Sequence, residues 1–391
     1  MFLYCCFETI PAIYKCIHTR NTSVMQTMQT EWDGKTWMTR SWQRIKDKKI
    51  TEIILPGSHN SATANLSRDT ANDARGEIIQ RYRGIFGKRV TDHIAEKWNK
   101  FQPLSLTHQL EAGVRYLELN VGVHVNKEAP ETTLRCCHGF FSDTIGSVAR
   151  NVSDFCITHS REFVILDFRC LYFQTRGDVH EEATHLLFIG EIEKLLGNLL
   201  VPSTLWHQTL SSLCATSSRV FVFYPLYKNS SFWHREWMIP GDYVDRMQSS
   251  RSATQFLKDR ITLFAKVQEE KKQQIMSKVI YPKRESLFIL HEEVATPETQ
   301  MFLSIISACI ASVSGERFTL CGVPDSVSRY SADKNGLLMA MIEKDHQKPF
   351  LNVILLDYID SCELVQRIAE LNIYSTTATT RCLTRNSFAN I

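Results

Sequence analysis

Two histidines stand where apolar runs end. His59 follows the run Glu52–Pro56 (EIILP), inside Leu55-Pro56-Gly57-Ser58-His59-Asn60-Ser61; His138 follows Leu134–Cys137 (LRCC) and precedes Gly139. A Pro-Gly turn closing a strand presents the next side chain where the chain leaves the core, and Gly139 lets the backbone pass close to a ligand. Two imidazoles facing one phosphodiester can act as base and acid, each proton transfer being worth roughly 10²–10⁴ in rate. The competing reading is that both are hydrogen-bonded core histidines. Other apolar runs also end in polar groups. Glu118 and Asn120 lie in Tyr116–Val121, Asp167 and Arg169 close Phe163–Phe168, His291-Glu292-Glu293 follows Leu287–Leu290, and Asp357 and Asp360 follow Asn352–Leu356. Two histidines, several carboxylates and an arginine on one face would make an acid–base site.

The elements that must position these groups are short β-rich runs. Besides those named, Arg219–Tyr224 and Arg317–Cys321 bring the candidates to eight. Several are nearly continuous Val, Ile, Leu and Phe, the pattern of strands buried on both faces in a parallel sheet. Helical spacing falls between many of them: Thr144–His159, Asp178–Leu200, Ser252–Lys278, Glu298–Ser312 and Ser361–Leu371. Strands alternating with helices predict an α/β chain, an irregular (β/α)8 barrel of the TIM type, with an open doubly wound sheet as the alternative. In such a barrel, polar residues at the C-terminal strand ends meet at one mouth. Between Asn60 and Leu110 no strand is legible, so the barrel is expected to be irregular there. Residues 1–35 read as an N-terminal extension with little to order it, and 36–391 as a single barrel.

Composition narrows the function. The chain has 391 residues, Lys+Arg 45 against Asp+Glu 42, and a formal charge of +3. So small an excess argues against a nucleic-acid binder, which normally shows a basic stripe. The longest uncharged stretch, Met301–Ser314, is too short to span a bilayer. The chain holds 12 cysteines but no Cys-x-x-Cys pair, and many sit in apolar runs, which suggests a reducing, cytoplasmic setting. Four Asn-x-Ser/Thr sequons leave secretion open. Gly34-Lys35-Thr36 lacks the upstream glycine of a phosphate loop, since position 29 is Gln. Ser58 lies in no Gly-x-Ser-x-Gly elbow, and there is no Gly-x-Gly-x-x-Gly, His-Glu-x-x-His or EF-hand loop. Phe232, Trp233 and Trp237 stand among Lys228, His234 and Arg235, a combination that either enters a membrane interface or covers the barrel end. His124, His159, His185 and His207 read as ordinary surface or core residues.

Taken together, Pro56–Ser61, Gln109–Asn120, His138-Gly139 and Glu162–Phe168 resemble the X region of phosphatidylinositol-specific phospholipase C, of the stand-alone X-domain type. These motifs cover residues 50–170, and weaker similarity continues through Val222–Pro225 to Asn352–Asp360. The resemblance implies a distorted (β/α)8 barrel of the phospholipase-C-like phosphodiesterase type. It implies an inositol phospholipid substrate met at a membrane surface, with a monomer as the default and no nucleic-acid partner. It makes His59 the base on the inositol 2-hydroxyl, His138 the acid for the leaving diacylglycerol, and Glu118 an orienting acid. Asp357 is a candidate for positioning a catalytic histidine. Asp167 would orient His138 or pair with Arg169. The chain departs from the pattern at Asn120, where small metal-independent relatives carry Arg and large calcium-dependent ones carry Asp. Two versions follow. In the favoured one Arg169 supplies the missing positive charge and no cofactor is needed; in the other Asn60, Glu118 and Asn120 hold a weak Ca²⁺. A third outcome is an inositol-lipid-binding or adaptor protein with little turnover.

Overall fold

The computed structural model describes residues 32–125, 132–173, 181–224, 238–239, 287–291, 326–328, 331, 335, 352–359 and 362–374. From Gly34 onward the chain forms one compact unit. The expected helices Ser252–Lys278 and Glu298–Ser312, the run Arg317–Cys321, the aromatic segment 232–237, and Glu292, Glu293 and Asp360 lie outside the described residues.

Among the described residues seven strands run parallel: β1 (Leu55–Ser58), β2 (Tyr116–Val125), β5 (Val164–Tyr172), β6 (Val220–Phe223), β7 (Met238–Ile239), β8 (Leu287–His291) and β9 (Val353–Leu356). Their spatial order is β6-β5-β2-β1-β9-β8-β7. The last strand therefore pairs with the first, Gly57 standing opposite Leu355. An open sheet with this chain order would leave β1 and β9 at its two edges. Their pairing is the signature of a sheet rolled into a barrel.

The third expected strand is not a barrel strand. β3 (Thr132–His138) runs antiparallel to the second half of β2 and forms a hairpin with β4 (Phe140–Thr144), which has no counterpart among the eight expected runs. β2 is ten residues long and overshoots the barrel, so Val121–Val125 are left to pair with β3. The first strand starts later than expected, because Ile50–Glu52 form a 3-10 turn. This shift places Ser58 in the strand and His59 immediately after it.

Helices cover the barrel. α1 (Trp37–Arg40) and α2 (Trp42–Ile45) lie at the start of the unit. The stretch without a legible strand holds α3 (Ala74–Phe86), α4 (Lys88–Asn99) and α5 (Leu106–Ala112). α6 (Ile145–Thr158), α7 (Glu181–Leu196), α8 (Leu210–Ala215) and α9 (Cys362–Tyr374) follow. Caps explain several starts: Asp73 accepts from Gly76 N, Ser105 from His108 N, Thr144 from Ser147 N and Thr209 from Ser212 N. Ile145, Val148, Val152 and Phe155 of α6 belong to the same buried apolar cluster as Leu117, Leu119 and Val121 of β2.

Strand alternation then fixes what enters the barrel. If Leu117, Leu119, Leu166 and Phe168 face the helices, Tyr116, Glu118, Ile165 and Asp167 face inward. Gly57, Tyr116, Ile165 and Phe221 share one level of the register, and Glu118, Asp167 and Phe223 the next. The interior thus changes from aromatic and aliphatic to acidic on the way to the mouth. Gly57 suits this crowded level: a Cβ would stand 3.0 Å from Val353 and 3.2 Å from the Tyr116 ring, so those side chains would have to shift.

Two motif residues belong to the opposite end. Arg115, fully buried before β2, donates to Glu162 through Nη2 at 2.8 Å and through Nε at 3.1 Å. It also donates to the carbonyls of Leu110, Val114, Gly34 and Lys35 and lies 4.7 Å from the Phe155 ring centroid. Breaking one half of such a pair leaves a buried charge uncompensated. Glu162→Ala is expected to cost about 3–5 kcal/mol, measured as a lower urea midpoint at unchanged m-value.

Candidate active site

The mouth gathers side chains from four strand ends. His59 leaves β1 with its Nδ1 2.6 Å from Asp357 Oδ1, just beyond β9. Asn60 Nδ2 donates to His59 Nε2 at 2.9 Å, while Asn60 Oδ1 accepts from Asn120 Nδ2 at 2.8 Å. With the amides so placed, a neutral His59 carries its proton on Nδ1 and offers Nε2 as acceptor, the tautomer a general base needs. Glu118, fully buried on β2, has Oε2 3.4 Å from His59 Nε2 and Oε1 3.4 Å from Arg169 Nε. Asn60 takes a left-handed backbone with φ 46°, which turns its N–H toward Glu118 Oε2 at 3.3 Å.

Arg169 stands at a defect in the sheet. Leu119 pairs with Phe168 but Asn120 pairs with Cys170, so Arg169 is the extra residue of a bulge. By alternation Arg169 lies on the same inward side as Asp167, two residues before it, and the bulge takes it out of the regular ladder. Arg169 Nε donates to Asp167 Oδ2 at 2.7 Å. Asp167 thus pairs with Arg169 and does not orient His138.

His138 arrives from the hairpin and is held differently. Its ring and that of His59 contact the same phenyl group, Phe101, edge-on with centroids 4.7 Å and 4.8 Å away. Asp73 caps α3 with one oxygen and accepts from Gly139 N with the other at 2.7 Å. Gly139 has φ 71°, and a Cβ there would meet Asn99 Oδ1 at 2.8 Å. His138 Nδ1 makes no hydrogen bond of normal geometry.

The two imidazoles are biased in opposite directions. Burial works against a charge on His59, but the carboxylates of Glu118 and Asp357 outweigh it and lift its pKa above the ordinary 6.5, with Arg169 pulling the other way. Burial first, then Arg75 and His59, hold His138 well below that value. Both rings are largely buried, His59 6% and His138 8% exposed, so each keeps only a narrow face toward the mouth.

No family model matches the chain. It is 22% identical over 342 residues to PI-PLC X domain-containing protein 3 of Danio rerio, covering 86% of this chain and 93% of that one. The Homo sapiens protein of the same name is 23% identical over 340 residues, covering 86% and 92%. The chain is thus similar in sequence to PI-PLC X domain-containing proteins over most of its length. Its fold matches that of a phosphatidylinositol-specific phospholipase C of S. aureus with a TM-score of 0.51 at 12% identity, over 87% of this chain and 98% of that one. The architecture is the irregular TIM-type barrel of that phosphodiesterase fold.

The structure brings His59, Asn60, Glu118, Asn120, His138, Arg169 and Asp357 together. His291 closes β8. His124, His159 and His185 are engaged elsewhere, with Asp69, the Phe155 carbonyl and the Tyr224 hydroxyl. The residues expected for a weak Ca²⁺ are engaged with their neighbours. Asn60 Oδ1 accepts from Asn120, and Arg169 stands against Glu118. Among the described residues no group of three or more His, Cys, Asp or Glu is arranged around a metal position.

Phe101, Gln102, Asp73 and Arg75 border the site from outside the quoted motifs, and Tyr116 borders it from inside one without being singled out. Gln102 Nε2 donates to the carbonyls of His59 and Leu356 at 2.9 Å each, tying β1 to β9 beneath the His59–Asp357 pair. Only Asp73 carried a legible signal, as a helix N-cap. In proton–nitrogen NMR titrations, His59 is expected to protonate with a midpoint above 6.5, and His138 to stay neutral until well below it. The opposite order would contradict the carboxylate placement.

Proposed function

We propose that this chain is a phosphoric diester hydrolase of the phospholipase C type, cleaving an inositol phospholipid presented at a membrane surface to diacylglycerol and an inositol phosphate. The observation that carries this reading is the convergence of a carboxylate-backed imidazole, a second imidazole and a guanidinium on one barrel mouth. The phospholipase name of the S. aureus neighbour and the X-domain name of the relatives support it.

His59 Nε2 takes the proton from the inositol 2-hydroxyl as that oxygen attacks phosphorus, and Asp357 and Glu118 stabilise the imidazolium that forms. The bond from phosphorus to the glycerol oxygen breaks, His138 gives that oxygen its proton, and diacylglycerol leaves a cyclic inositol phosphate. Arg169 neutralises charge on the phosphoryl oxygens, the work that Asn120 cannot do. A bound phosphodiester brings a negative charge next to His138, which has no carboxylate of its own, and raises its proton affinity when the acid is needed. No metal enters this scheme.

A second reading, an inositol-lipid binder with little turnover, is favoured by one observation: His138 is held neutral in the free protein. Leaving-group chemistry separates the two. On phosphatidylinositol vesicles, His59→Ala and His138→Ala are each expected to lower turnover by about 10²–10⁴, and a chelator to leave it unchanged. On an aryl ester of inositol phosphate, whose phenolate leaves without a proton, His138→Ala is expected to retain most activity and His59→Ala to lose it. Binding of the lipid without release of cyclic inositol phosphate would select the second reading.

A further inference from the structure

Below the mouth, Tyr116 fills the space that Gly57 leaves open. Its hydroxyl donates to Asp167 Oδ2 at 2.5 Å, and the same oxygen accepts from Arg169 Nε at 2.7 Å. Asp167 is fully buried, and its other oxygen, Oδ1, makes no hydrogen bond. Both donors therefore hold the carboxylate through one atom. Arg169 continues the line to Glu118, and Glu118 to His59, 3.4 Å at each step.

We propose that Tyr116 is a positioning residue: by fixing Asp167 it holds the bulged Arg169 guanidinium in the orientation in which it meets the phosphoryl group. The inference rests on the proposed function and extends it one layer into the barrel. A carboxylate bound only to a guanidinium can turn about its χ2 torsion, and the guanidinium follows. A phenol donating to the same oxygen from a rigid strand removes that rotation. The donor is constant over any working pH, because burial, and then Asp167, push the Tyr116 hydroxyl well above its usual range. The arginine needs such an anchor because it sits in a bulge, outside the regular ladder that fixes its neighbours.

Tyr116→Phe keeps the ring against Gly57 and removes only the hydroxyl. Turnover of phosphatidylinositol vesicles is expected to fall about tenfold in kcat with KM nearly unchanged. In an Arg169→Ala background the same substitution is expected to have no further effect, because the group it positions is gone. Thermal melting of each variant checks that it is folded. Equal loss in both backgrounds, or no loss in either, would overturn the role. Should the wild type bind but not turn over lipid, the catalytic reading falls while this one is still read by glycerophosphoinositol affinity. Tyr116→Phe then weakens binding by about tenfold with Arg169 present and not without it. A chain that neither cleaves nor binds removes both.

Discussion

A buried imidazole between two buried carboxylates is the interaction on which the mouth of this barrel depends. His59 meets Asp357 on one nitrogen and Glu118 near the other, and all three are almost wholly shielded from water. Burial alone would strip the ring of its proton, but two anions at close range reverse the balance. The partners come from β1, β2 and the end of β9, so the arrangement exists only if the last strand pairs with the first. Gln102 reinforces that pairing by bridging the backbones of His59 and Leu356.

The barrel separates structural charge from functional charge along its axis. At the base, Arg115 and Glu162 are paired and closed off, Arg115 donating to four carbonyls and Glu162 accepting from Met38 N and Thr39 N, which suits a structural role. One aromatic and aliphatic level separates them from Glu118 and Asp167. Above that level each carboxylate faces a group able to change state or touch a ligand. Tyr116 crosses between the two regimes, with its ring in the apolar level and its hydroxyl on Asp167.

His138 depends on a different support. It comes from an antiparallel hairpin that β2 reaches only because it outruns the barrel, and its position is set by Asp73, Gly139 and the shared ring of Phe101. Lacking a carboxylate, it waits neutral. The asymmetry between the two imidazoles is therefore a matter of which element delivers them: one leaves the barrel wall among acidic strand ends, and the other leaves a hairpin among aromatic and cationic neighbours.

Much of this was legible in residue order. The alternating barrel, the two histidines, Glu118, Arg169 and Asp357 could be read because strand periodicity and strand ends are local properties of the chain. Residue order could not show that β3 is antiparallel, since an apolar run has the same pattern whichever way its neighbour points. Nor could it show that Arg169 falls in a bulge, which is a property of register between two strands. Arg115 and Glu162 stood inside the motifs, yet only packing revealed that they brace the base. Phe101 and Gln102 lie in a stretch with no strand pattern, and their importance comes from contacts with His59, far away along the chain. Local pattern determined which groups are present and on which elements. Pairing, register and closure, which join distant segments, decided which charges meet.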